Sequence, residues 1–251
     1  GVNTDYAVVI RVRDGRGCQA TLSQTVEQGA PVFAILDSTY TQLTALTTAH
    51  PVNYPATVNA GDLLVMVVGV RASTNSFTGA ITTPSGWTQM TYSDPPISPG
   101  HRAGTYYRVA SGSEGGTTVD VPTTIALSMI AVIFRIPAGS YSGTPASIAS
   151  APSPTTSISP LEVASGAGAG VNSLYIAGGV ISNADIVNPT SYDAAGAFNT
   201  NTTYNSSPII GIASYAVLNS SGSFGAIKDI SSITFPSNRS FSTFNIGIRP
   251  A

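Results

Sequence analysis

Side chains able to do chemistry are few in this 251-residue chain: two histidines, one cysteine, twelve carboxylates and ten basic residues. His50 precedes a proline and His101 follows Pro99-Gly100, outside any His-x-x-x-His or His-Glu spacing that would ligate a metal. Both read as solvated loop residues. The nearest string to a serine elbow, Gly139-Ser-Tyr-Ser-Gly143, has tyrosine at the nucleophile position and lacks the strand-to-helix context. Ser-His-Asp sets could meet in space, but in a chain this rich in serine that coincidence carries little information. Asp62, Asp94, Glu114, Asp120, Glu162, Asp185, Asp193 and Asp229 are scattered. No spacing among them selects the facing pair that glycoside hydrolysis needs. Asp62 suits a turn whose carboxylate bonds its own backbone. There is no Asp-x-Asp-x-Asp calcium loop, although separate loops could still assemble an oxygen site. No catalytic, cofactor-binding or metal-ligating residue is therefore assigned, and neither a cofactor nor an enzymatic activity is expected.

Weaker signals have bland explanations beside them. Gly166-Ala-Gly-Ala-Gly170 precedes a strand instead of joining a strand to a helix, so it reads as a turn and not a phosphate loop. Asn-x-Ser/Thr sequons start at Asn201, Asn205, Asn219 and Asn238, in a composition that produces them freely. Tyr92, Tyr141, Tyr192 and Tyr204 fall in or beside loops and are candidates for stacking on sugar rings. The competing reading is that each caps the core with its ring and wets its hydroxyl. Cys18 is alone, so it forms no internal disulfide and reads as a small filler.

Charged residues make up 9% of the chain and the net charge is −2, which supplies no basic field for nucleic acid or an anionic membrane. No apolar run is long enough to span a bilayer as a helix. At 42% hydrophobic residues the chain can drive a core, which argues against disorder. It begins at Gly1 and shows no signal peptide, as expected of a processed chain or of numbering that starts inside a longer product.

The elements that must position these residues are strands. Gly61-Asp-Leu-Leu-Val-Met-Val-Val-Gly-Val70 is an apolar run of strand length, entered through a turn and read as buried on both faces. Pro84-Ser-Gly-Trp-Thr88 places the only tryptophan just after a turn, where the ring should anchor a core. Residues 6–13 and 19–27 alternate around Asp14-Gly-Arg-Gly17 and predict a β-hairpin. Its Tyr-x-Val-x-Ile-x-Val pattern resembles the last strands of immunoglobulin-like domains. A lone hairpin is marginal and must lean on something. Tyr6, Val8, Ile10, Val12 and Leu22 are its expected assembly contacts. After a linker at Gln28-Gly-Ala-Pro31, strands are expected near 32–36, 61–70, 102–110, 117–121 and 128–136. Others are expected near 172–181, 209–218, 231–235 and 241–248, with an extended stretch at 37–48. Residues 141–159 read as a long crossing loop, and no segment has helical periodicity. The fold predicted is all-β: an N-terminal arm over 1–30, then an antiparallel, jelly-roll-like two-sheet β-sandwich over 31–251.

The two halves rhyme. Asp62-Leu63 matches Ser173-Leu174, and Tyr107-Arg-Val109 matches Tyr215-Ala-Val217. Duplication would explain this, but so would the shared grammar of strands, and the second is preferred because self-similarity is cheap in biased composition. His50-Pro-Val-Asn-Tyr-Pro-Ala56, Ala60-Gly-Asp-Leu-Leu64, Pro84-Ser-Gly-Trp-Thr88, Tyr106-Tyr-Arg-Val-Ala110 with Glu114, and Ile246-Gly-Ile-Arg-Pro-Ala251 carry a wider likeness. Together they resemble a β-rich module of tailed-bacteriophage virion proteins, also found in large bacterial surface proteins. The resemblance implies a non-enzymatic structural protein, such as a tail fibre, appendage or capsid decoration, or an extracellular filament. Its expected place is the virion surface or outside the cell. Its expected partners are copies of itself or other surface proteins, with no nucleic acid and no membrane insertion. The alternative is a carbohydrate-binding, adhesive module that recognises host glycans. A polysaccharide depolymerase ranks below both.

Overall fold

A computed structural model describes residues 6–13, 19–26, 37–71, 79–93, 101–150, 174–182, 198–204, 210–218 and 241–251. All twelve elements among them are β-strands, every ladder is antiparallel, and the described residues contain no helix. The expected strands at 32–36 and 231–235 and the turn at 14–17 lie outside the described residues. So do the linker at 28–31, Cys18, the glycine run at 166–170 and residues 151–159 of the expected loop.

The chain divides into two compact units, Gly1–Val32 and Phe33–Ala251. The first holds β1 (Tyr6–Arg13) and β2 (Gln19–Val26), whose register sets Tyr6 opposite Val26, Ile10 opposite Leu22 and Val12 opposite Ala20. Positions directly opposite in an antiparallel pair share a face. Tyr6, Val8, Ile10, Val12 and Leu22 therefore fall on one face of the ladder.

The second unit carries two five-stranded sheets. One runs β3 (Asp37–Asn53), β7 (Thr118–Ile136), β4 (Leu63–Arg71), β6 (His101–Val109), β5 (Thr88–Ser93). The other runs β8 (Tyr141–Ser150), β12 (Phe241–Pro250), β9 (Leu174–Ser182), β11 (Ile210–Leu218), β10 (Phe198–Tyr204). In both, the five strands stand in the order first, fifth, second, fourth, third. The register repeats as well: Leu63 lies between Val109 and Ile136, as Leu174 lies between Leu218 and Ile248. This repetition favours duplication over shared strand grammar as the source of the rhyme between the halves.

Strand β4 sits at the centre of its sheet and is buried on both faces, as its unbroken apolar sequence predicts. Leu63, Val65 and Val67 join an apolar cluster with Ile130, Val132 and Phe134 that also takes in Leu174, Ile176, Val180, Phe244, Ile246 and Ile248 of the β9 sheet. Leu64, Met66, Val68 and Val70 face the other way, into a second cluster with Val52, Val121, Tyr106 and Trp87. Trp87 is thus a core anchor. Its indole N–H donates to the Tyr54 hydroxyl at 3.3 Å.

That second cluster exists because the β3–β7 ladder folds over. Its register breaks between Leu43 and Ala49. The Asn53 N–H donates to Thr41 Oγ1 at 2.9 Å, although a straight strand would hold residues twelve apart at about 40 Å. The far arm of the ladder, with Val52, Val119 and Val121, thereby covers the outer face of β4.

Two expectations are corrected here. Residues 117–121 and 128–136 are not separate strands but parts of the bent β7, whose residues 123–126 leave the β3 ladder between Pro122 and Leu127. The first ten residues of the expected loop at 141–159 form β8. As an edge strand β8 needs little apolar residue content, and Pro145 sits in the register break opposite Gly247–Arg249, where no ladder N–H is required. Strand β10, polar and also at an edge, escaped the sequence reading for the same reason.

Gly104 marks the tightest packing on β6: a Cβ there would lie 2.5 Å from Tyr106 Oη and 2.8 Å from its ring. Gly104→Ala should lower stability by about 1–3 kcal/mol in denaturant unfolding, because the fully buried ring has nowhere to move. Tyr106→Phe should cost nothing in the same assay, since the Tyr106 hydroxyl is buried with no hydrogen-bond partner among the described residues.

Candidate functional site

Both histidines are fully buried within strands and are not the solvated loop residues that their neighbours in sequence suggest. Burial on the folded-over sheet makes each of them hydrogen-bond inside the protein.

His50 staples the bend. Its Nδ1 lies 2.9 Å from the Val121 carbonyl oxygen and its Nε2 lies 2.9 Å from the Leu127 carbonyl oxygen. These carbonyls belong to the two arms of β7, so one imidazole ties the fold-over shut. A neutral ring has a single N–H to offer two such acceptors.

His101 opens β6 and points, with Ala103, toward the β9 sheet. There its Nε2 stands 3.0 Å from Ser242 Oγ on β12, and the Ser93 hydroxyl on β5 donates to the same oxygen at 2.8 Å. This is the one place among the described residues where a serine hydroxyl meets an imidazole, the pair that nucleophilic catalysis uses. The geometry stops short of that use. No carboxylate among the described residues orients the ring, and Nδ1 has no partner there. Burial, and then the positive charges of Arg102 and Arg71, hold the imidazole down to about 3. A base that weak drives little proton transfer near neutrality. All three side chains are also shielded from solvent.

The carboxylates are likewise spent on structure. Asp62 accepts the Asn59 N–H at 2.8 Å, the Ala138 N–H at 3.0 Å and Arg135 Nε–H at 2.6 Å. It therefore bonds its own turn, as read from the sequence, and also ties the start of β4 to the end of β7. Burial pushes this carboxyl up, but its donors outweigh that and leave it below its ordinary value. Glu114 holds the turn after β6, accepting from Ser111 N–H, Gly112 N–H and Arg108 Nη2 at 2.7 to 2.9 Å. Burial again raises it, and the donors led by Ser111 pull it down to about 2. Arg108 in turn sits 6.0 Å over the Trp87 ring. No three His, Cys, Asp or Glu residues among the described ones stand close enough to share a metal ion.

Of the tyrosines singled out as sugar-stacking candidates, Tyr92 packs half-buried against the outer cluster. Tyr141 packs against the inter-sheet cluster and its hydroxyl donates to the Gly61 carbonyl at 2.9 Å. Tyr204 ends β10 opposite Ile212, and Tyr192 lies outside the described residues. Tyr92 and Tyr141 thus belong to different apolar clusters. The Ser93–His101–Ser242 cluster was missed because its members come from three strands and two sheets. Only the unusual burial of a histidine could have marked it. Comparison with protein-family models, curated proteins and solved structures finds no match to this chain.

Two outcomes follow from the carboxylates. Asp62→Ala should cost about 3–5 kcal/mol in denaturant unfolding by leaving Arg135 buried and uncompensated, and adding Arg135→Met should recover part of the loss. Glu114 titrates lower in the folded chain than unfolded, so its contribution is full above about pH 4.5 and is lost as pH falls toward about 2. Glu114→Gln should flatten that part of the stability–pH curve, measured by thermal unfolding.

Proposed function

We propose that this chain is a non-enzymatic structural building block of a virion surface or extracellular filament, such as a tail fibre, appendage or capsid decoration. In this reading the two five-stranded sheets pack as a jelly-roll-like β-sandwich, preceded by an immunoglobulin-like hairpin arm. The observation that carries it is the hairpin: a compact unit whose described residues form one two-stranded ladder, with Tyr6, Val8, Ile10, Val12 and Leu22 on one face of it. Two strands cannot enclose a core of their own. That face is suited to cover by a neighbouring copy or another surface protein, either by packing or by strand addition. The second unit supports the reading from the other side. Its buried histidines and carboxylates are bound into turns, bends and sheet contacts. The resemblance to phage virion modules points the same way.

The adhesive alternative draws less from the molecule, because the rings of Tyr92 and Tyr141 are packed against apolar clusters. A broad glycan array probes it directly, with binding that survives Tyr92→Ala and Tyr141→Ala excluding those two as stacking platforms.

Deletion of residues 1–28 tests the main reading. The full chain should form ordered fibres, rings or oligomers in negative-stain electron microscopy and light scattering, and the shortened chain should form none while keeping a cooperative thermal transition close to that of the full chain. Unchanged assembly after the deletion would refute the role of the hairpin.

A further inference from the structure

The two faces of the hairpin ladder differ sharply in chemistry. On the face that carries Ile10 and Leu22, apolar residues stand opposite apolar residues except where Gln24 meets Val8. The other face sets Val9 opposite Ser23, Arg11 opposite Thr21 and Arg13 opposite Gln19. Both charges of the two strands, Arg11 and Arg13, therefore lie on that second face, and the first carries none.

Strand addition along an edge of the hairpin lengthens its ladder but leaves the uncharged face bare, because the new backbone bonds form in the plane of the sheet. Cover has to come from a second apolar layer about 10 Å away. The β4 sheet offers none, since each of its faces already meets an apolar cluster. The large apolar side chains left exposed among the described residues are Leu46, Val109 and Ile125, on three different strands. Single side chains of this kind do not match a ladder eight residues long. The same face of another copy does match it, in length, in width and in lack of charge.

Resting on the reading above that the hairpin is the assembly contact, we propose that two copies of this chain join by stacking these faces into a four-stranded sandwich about a two-fold axis. Such an isologous contact closes on itself, so by itself it yields a dimer and not an open polymer. Stacking supplies the apolar core that two strands lack, so hairpin order and dimerisation rise and fall together. The ladder measures about 27 Å by about 10 Å. A patch of that size falls among interfaces below about 1,200 Å² and predicts a dimer of roughly micromolar strength.

Sedimentation equilibrium of the full chain from about 0.1 to about 300 μM tests this, and should show monomer and dimer in exchange. Leu22→Asp puts a charge on the stacked face and should weaken the dimer about a hundredfold. Ser23→Asp, at the next residue and on the opposite face, should shift it by less than about threefold. Because a charged hairpin can simply unfold, the unaltered chain supplies a second measurement. Its amides at residues 6–13 and 19–26 should gain hydrogen-exchange protection in step with the dimer fraction. A monomer at every concentration, protection independent of concentration, or equal weakening by both variants would overturn the stacking. Assembly that survives deletion of residues 1–28 refutes the hairpin's role altogether, whereas oligomers that need residues 1–28 but persist in Leu22→Asp refute the stacking alone.

Discussion

Because β4 is covered on both faces, polar groups packed against it are cut off from solvent, and much of the molecule's chemistry follows from that constraint. One face meets the β9 sheet and the other meets the folded-over arm of β3 and β7. Side chains with polar atoms in these layers need internal partners. Asp62 and Arg135 satisfy each other where β4 begins and β7 ends. His50 spans two carbonyls of the bend, and His101 reaches across to Ser242. Each looks like a functional group in a list of residues, and each is committed to holding layers together.

The same constraint explains the division of labour between the two sheets. They share a strand order and a central register, yet the described cover of the β4 sheet's outer face comes from its own long ladder. A strand of seventeen residues paired with one of nineteen is longer than a sheet of this width requires. The surplus is what bends back. The register break that permits the bend also creates the pair of buried carbonyls that His50 fills.

The polar interactions of the second unit pin strand ends and turns. Glu114, Arg108, Trp87 and Tyr54 form a continuous set of contacts around the turn after β6. Asp62, Tyr141 and Ala138 do the same where the chain passes from the first sheet to the second. The hairpin is a compact unit of its own, with Tyr6, Val8, Ile10, Val12 and Leu22 on one face of its ladder, and the proposed structural role gives that face a purpose.

The sequence by itself determined the all-β class, the two hairpin strands, the doubly buried central strand, the Trp87 anchor and the Asp62 turn. These depend on local signals: period-two alternation, a continuous apolar run, and turn residues at fixed positions. Tertiary structure alone decided the rest. Edge strands β8 and β10 carry few apolar residues, so their pairing is visible only once a neighbour supplies the other half of the ladder. The bend in β7 depends on what it folds onto, and no turn residue announces it beyond Pro122. His50 and His101 looked solvated because a proline or glycine beside them suggests a loop, whereas their burial is set by strands distant in sequence. Ser242 reaches His101 across two sheets, and contacts of that range leave no periodic trace in a chain.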